Sequence, residues 1–478
     1  MVDRGLGYAA ALALIAVGCG DAKVGFGDSG GAGGSAGASS AGSGGSGNGG
    51  SQTGGSGGAA GSAGKPGAGC GPIGTCPGEW VHQFGGIPGW DDSANGAAID
   101  AEGNGYIAGT VYNATPGAGV SGGLRDDFIR AYSPTGDELW ARVLTAEEGS
   151  EQLSALKLDA QGNMYIAGTL SGLLDGEGSK AHKTMYLRKL SMTGSVLWTR
   201  VFGAVSQNDL FSLDCGPDGS PFVVGTVAAA LPGQTYAGGS DAFILKHDAS
   251  GNVAWTRQFT HPFNDFAYAV AVDASGNAYM GGLVTDGMPG FDTKPGDVDG
   301  FVRKYSSAGE ELWTVPIATD DRDQVLAIAI DPNADVIVTG TTHSAFPGFT
   351  NTGNNDIFVS KLSSDGSPIW TRQFGSDRSD KPHALEVDET GAVYVAGETF
   401  GSLTSEPSAS DGFVARLESN GTVTWIRQLS PSEPEGLAEI DGIAVGAGAA
   451  FVVGRVRGSL PGQTGTDDFD VFIARMTL

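Results

Sequence analysis

Basic residues are scarce in this chain of 478 residues: 27 Lys and Arg stand against 54 Asp and Glu, a formal charge of −27. A surface of that sign repels phosphate backbones, and no Lys/Arg-rich run interrupts it, so nucleic acid is not an expected partner. Charged residues of either sign make up only 17% of the sequence, which fits neither a helical bundle nor a uniformly charged disordered chain. Cysteine occurs four times, never at metal-ligand spacing. The six histidines (82, 182, 247, 261, 343 and 383) include no H-E-x-x-H pair and no evident base and nucleophile set. No catalytic residue is therefore assigned and no enzyme activity is expected. What abounds is glycine, 81 residues with 21 prolines, which points to turn-rich β structure.

The N-terminal apolar run at residues 6–17, LGYAAALALIAV, falls short of the ~20 residues that span a bilayer and has the length of a signal h-region. It ends in Ala16, Val17, Gly18 and Cys19, a tetrapeptide that resembles a bacterial lipobox. The resemblance implies that residues 1–18 are a lipoprotein signal peptide and that Cys19 is lipidated. Gly20 in place of the inner-membrane retention aspartate implies an outer-membrane address, on its periplasmic or surface side. Residues 19–69 form a Gly/Ser-rich tether that has too little apolar surface to fold. Its flexible-chain reach is on the order of 35 to 42 Å. Residues 70–79 are a collar in which Cys70 and Cys76 are candidates for a small disulfide loop in an oxidising compartment.

Tryptophan recurs at 80, 140, 198, 255, 313, 370 and 425, at intervals of 60, 58, 57, 58, 57 and 55 residues. Each interval holds four short runs, here A to D, separated by turn signals, as in FAYAVAVDASGNAYMGGLVT and DGFVRKYSSAGEELWTV. Run A is nearly continuously apolar and reads as the inner strand, whereas D alternates and reads as the outer one. Four-stranded units that cannot bury their faces alone are the signature of propeller blades. The first element, at Trp80, is a lone D strand and the last copy has A, B and C but no D. The two ends together therefore complete one blade, giving an all-β, seven-bladed β-propeller over residues 80–478, closed by an N-terminal strand.

The pattern A-x-A-V-x-x-D-x-x-G-N-x-Y, then D-x-F, then G-x-x-x-W-x-x-x-x-G resembles the bacterial SBBP-type β-propeller repeat of secreted and lipid-anchored proteins. That resemblance covers the folded part and implies fold more than chemistry. Strings such as RKLSMTGSVLW are also similar to the tryptophan-docking repeats of quinoprotein dehydrogenases, which keeps a propeller enzyme as a rival reading.

Two acidic series run through the repeats. A carboxylate starts strand C in six copies, and an arginine follows it in strand D at constant spacing: Asp126 and Arg142, Asp241 and Arg257, Asp356 and Arg372, Asp411 and Arg427. Folding the hairpin about its turn sets 241 opposite 259 and 243 opposite 257, which makes a structural ion pair in each blade the leading reading. The second series, Asp92, Glu151, Asp265, Asp323 and Asp380, lies eight residues before the A to B turn, in the D to A loops, and is expected to ring one mouth of the central channel. These residues would cap loop N–H groups, bind a partner, or hold Ca²⁺, the one ion considered where no cofactor is otherwise expected. Cys215 stands in an apolar column and reads as a buried substitute. The expectation for function is a non-enzymatic binding scaffold acting through an acidic, loop-rich face. A membrane contact through the lipid, an envelope protein or glycan as partner and a monomeric state complete it, with a structural envelope spacer as the third reading.

Overall fold

The computed structural model describes residues 71–85, 91–112, 125–146, 148–174, 176–259, 261–287, 298–404 and 410–478. The expected signal peptide and tether, Cys19 and Cys70 lie outside them. All described residues belong to one compact unit, Ala59–Leu478.

Seven four-stranded antiparallel sheets make up this unit. Blade 3 is representative, with A at Asn208–Cys215, B at Pro221–Val227, C at Asp241–His247 and D at Val253–Phe259. Blades 1, 2, 4, 5 and 6 begin at Ser93, Glu148, Asp265, Asp323 and Asp380. Blade 7 takes A, B and C from Leu437–Gly446, Ala449–Arg457 and Phe469–Thr477, and D from Trp80–Phe84 at the other end of the chain. The closing register runs from Trp80 opposite Arg475 to Phe84 opposite Val471. Inner strands of consecutive blades touch around the whole circuit, including blade 7 with blade 1. Closure leaves no sheet edge exposed between the ends of the chain.

Burial corrects one reading of the strands. The fully buried strands are B and C, as in PFVVGTV and DIFVSKL, whereas strand A alternates between buried and half-buried positions. Neighbouring blades cover both faces of B and C; strand A borders the channel and is covered less. Strand D is the most exposed, as expected. Every A strand also carries a bulge, in blade 3 between Leu210 and Ser212. Gly225 sits opposite that bulge, where a Cβ would collide with the Asp209 carbonyl, and a glycine holds the same place in each of the seven B strands.

The aspartates of the A to B turns do what their turn chemistry requires. Asp273 accepts hydrogen bonds from the backbone N–H groups of Ser275 and Asn277, both at 2.9 Å, and Asp100, Asp159, Asp331 and Asp388 repeat the arrangement.

Candidate functional site in the central channel

The five strand-A acids do not ring a channel mouth. Asp92, Glu151, Asp265, Asp323 and Asp380 are all buried, at the junction between one blade and the next. Capping is the role seen in most of them: Asp92 accepts from Tyr112 N–H at 3.0 Å, Asp323 from the N–H and hydroxyl of Thr319, and Asp380 from Ser376 and the Thr399 hydroxyl. Glu151 instead meets the buried Arg188 guanidinium at 3.1 Å. Among the described residues no three His, Cys, Asp or Glu side chains are grouped to hold a metal ion. The acidity of the loop-rich face comes from other residues, including the exposed Asp91, Asp320, Asp321, Asp377, Glu433 and Glu435.

The Asp–Arg ion pairs are also corrected. In blade 3, Phe243 faces Gln258 and Ile244 faces Arg257, one residue away from the simple hairpin, because a bulge intervenes between Lys246 and His247. A one-residue slip turns each D-strand side chain to the other face of the sheet. Glutamine consequently takes the aspartate: Gln258 donates to Asp241 at 2.8 Å, Gln373 to Asp356 at 3.0 Å, Gln428 to Asp411 at 2.9 Å and Gln83 to Asp470 at 3.0 Å. The arginines turn toward the next blade. Arg257 donates from Nε to the Gly309 carbonyl at 2.7 Å and Arg372 to that of Gly421 at 2.9 Å, while Arg142 bonds the carbonyl of Ala141. Trp255 and Trp370 donate to Ser307 and Ser419 in the same turns, both at 3.1 Å. Tryptophan and arginine together thus staple each of these blades to the C to D turn of its successor.

Blade 7 has no such turn, because its C and D strands come from opposite ends of the chain. The collar fills the place: Arg427 of blade 6 donates from Nε to Gly71 O at 3.0 Å, and Ile73 N–H donates to Gln428 O at 3.3 Å. Arg427 also meets Glu79 at 2.7 Å. Cys76 is disulfide-bonded, and its partner lies outside the described residues. Cys215 is half-buried, packed against the core of blades 2 and 3 rather than within it, and desolvation raises its thiol far above the usual range.

The channel itself holds residues the repeat pattern does not flag. Near one end, Lys157 of blade 2 reaches Glu386 of blade 6 at 2.8 Å, a contact that crosses the channel among Asp214, Val272 and Ile330. Toward the loop-rich end, the inner strands change character. Phe211 and Tyr268 lie with ring centroids 5.2 Å apart, and Tyr268 stacks on Phe266 at 5.8 Å. On blades 6 and 7 the corresponding strands carry a charged cluster. His383 Nδ1 is 2.8 Å from Asp441 and its Nε2 is 3.5 Å from Glu398, while Arg455 meets Glu439 at 2.6 Å. Burial alone would lower the His383 imidazole, but the two carboxylates outweigh it and raise it to about 9. Burial lowers the neighbouring Lys381 ammonium against the pull of Glu398 and Asp441. Perturbed groups of this kind gather where ligands bind more often than elsewhere. Their signal in the sequence is the interruption of an apolar A strand, in DKPHALEV and LAEIDGIAV.

Residues 254–283, from strand D of blade 3 into strand B of blade 4, match the family described as SBBP, beta-propeller repeat. The chain carries an SBBP repeat. A curated relative, the Regulatory protein FlaEY of Caulobacter vibrioides, is 25% identical over 411 residues, 76% of this chain and 41% of that protein. An Uncharacterized WD repeat-containing protein L264 of Acanthamoeba polyphaga mimivirus is 25% identical over 169 residues, 30% of this chain and 12% of that protein. The chain thus matches less than half the length of either relative. Among solved structures, Sqt1 from Chaetomium thermophilum is similar with a TM-score of 0.47 at 11% identity, covering 82% of this chain and 99% of its own.

Proposed function

We propose that this protein is a lipid-anchored, outer-membrane component of the cell envelope, and that its propeller is a non-enzymatic scaffold capturing a protein or glycan at the loop-rich end of the channel. The lipobox-like Cys19 supports the anchor. The contrast within the inner strands carries the binding reading: near one end they are largely apolar and crossed by Lys157 and Glu386, and toward the loops they present Phe211, Phe266 and Tyr268 on one side of the ring and the His383 cluster on the other. Half-buried aromatic faces stack on sugar rings and apolar side chains, and fixed charges orient what stacks. Loops on a rigid scaffold supply the remaining contacts.

The test compares the full-length protein with Tyr268→Ala and His383→Ala in affinity capture from envelope extract, followed by direct binding of whatever is retained. The scaffold reading expects at least one component bound by the parent and released by both variants. Identical capture by all three proteins contradicts the proposed site. A propeller enzyme is the second reading, favoured by the proton that His383 holds between two carboxylates; it expects the bound component to leave chemically altered.

A further inference from the structure

At each blade junction the residue opening strand C is set against the residue opening the next strand A. In six of the seven junctions the first is a carboxylate, and in five the second is. The geometry is explicit between blades 5 and 6, where a Cβ on Gly375 would collide with Asp356 Oδ1 and lie 2.9 Å from Asp380 Oδ2. Two anions facing one dry spot are costly unless something positive stands between them.

The chain solves this differently at different junctions. Between blades 5 and 6, the hydroxyls of Ser376 and Thr399 donate to Asp380. Between blades 1 and 2, Arg188 supplies a guanidinium to Glu151. Between blades 2 and 3, both acids are replaced, by Thr184 and Asn208. The Asn208 Nδ2 then donates to the carbonyls of Lys183, Ala204 and Ser206 at 2.6, 3.0 and 2.7 Å. That amide nitrogen marks a point on which three backbone oxygens converge.

Between blades 3 and 4 no such group touches the acid: Arg303, at the register position of Arg188, turns to Glu311 at 3.4 Å and acts on Asp265 only as a more distant charge. The position of Asn208 is taken by Asp265, so a carboxylate oxygen stands where an NH₂ group would. The equivalent carbonyls belong to Ser240, His261 and Phe263, and those of His261 and Phe263 lie 2.6 and 2.5 Å from the Cβ that Gly238 lacks. The hydroxyl donors are gone as well. Val284 occupies the register position of Thr399, and His261 the loop position of Ser376. Asp265 is 0% exposed, with the His261 backbone N–H as its one donor, and no side chain donates to either of its oxygens or to Asp241 Oδ1 among the described residues. The nearest ring nitrogen, His261 Nδ1, is 3.9 Å from Asp265 Oδ1.

We infer that this junction is a Ca²⁺ site, with the carboxylates of Asp241 and Asp265 and the carbonyls of Ser240, His261 and Phe263 as ligands. An all-oxygen set of two carboxylates and backbone carbonyls in an irregular loop suits a hard, geometrically tolerant cation and not Mg²⁺, which demands a near-ideal octahedron.

The experiment uses the full-length protein stripped with chelator at pH 7.5. Titration with CaCl₂ in a calorimeter is expected to show one high-affinity ion per chain. The thermal midpoint should rise with Ca²⁺ and respond far less to Mg²⁺. Asp265→Asn, which copies the Asn208 arrangement, should melt in chelator no lower than the parent and lose the Ca²⁺ response; circular dichroism verifies its fold. A parent with no Ca²⁺-dependent heat or midpoint, or a variant whose response matches the parent's, overturns the assignment.

Discussion

Arg427 donates to the carbonyl of Gly71 at 3.0 Å, repeating across 356 residues of sequence the contact that Arg372 makes to Gly421 at 2.9 Å one blade earlier. The N-terminal collar therefore imitates the C to D turn that blade 7 lacks, and Glu79 neutralises the buried guanidinium at 2.7 Å. Removing one partner of a buried pair strands the other without water. Arg427→Met is accordingly expected to lower stability by about 3 to 5 kcal/mol in denaturant unfolding. Arg142→Met, at the same place in blade 1 but hydrogen-bonded among the described residues to the neighbouring carbonyl of Ala141, should cost no more than about 1 kcal/mol.

The same pair sets an acid limit. Desolvation pushes the Glu79 carboxyl up, but hydrogen bonds from Arg427, Thr477 and Cys76 outweigh it and hold the group at about 2, below its ordinary 4.5. A depressed carboxylate contributes stability that is complete above about 4.5 and is lost as pH falls toward 2, amounting here to about 3 kcal/mol. Thermal melts between pH 5 and 2 should show this fall, and Glu79→Gln should flatten it.

Asp323 has the opposite sign. Burial, with the charge of Asp299, raises its carboxyl to about 7 in spite of hydrogen bonds from Thr342 and Thr319. The stability this group contributes is complete below about 3.8 and is lost as pH rises through 7. Asp323→Asn places in blade 5 the amide that Asn208 places in blade 3. It is expected to raise the thermal midpoint at pH 8, by at least about 1 kcal/mol in stability, and to change little below about pH 3.8.

Two buried histidines should titrate in opposite directions. Burial and the Arg200 charge push His247 down to about 4, whereas Asp441 and Glu398 hold His383 at about 9 against its own desolvation. Histidine side-chain NMR spectra over pH 3 to 10 should resolve a ring neutral at pH 6 and a ring still charged at pH 8. Asp441→Asn should bring the second of these toward the ordinary range.

Strand content, blade number and closure were all legible in the sequence because they rest on period-two alternation and on the spacing of tryptophans 80 to 425. The partner of Asp241 was not. Alternation counts residues but does not register the bulge beside His247, and that single slip exchanges Arg257 for Gln258 at the carboxylate. The burial of Asp265 was hidden in the same way, because its loop position is shared with exposed acids, and only the packing of adjacent blades separates the two. The channel cluster around His383 was readable in principle as charge inside an apolar strand. The repeat consensus draws attention instead to what the copies share.

Ring closure by the opening strand is the claim on which the rest depends, and amide hydrogen exchange reads it directly. The N–H groups of His82 and Phe84, which face the last strand, should exchange as slowly as those of Ile473 and Val471 opposite them, and deletion of residues up to 84 should speed exchange at Val471 and Ile473. Rapid exchange at His82 and Phe84, or protection at Val471 and Ile473 that survives the deletion, would mean the ends do not pair and the circle is open.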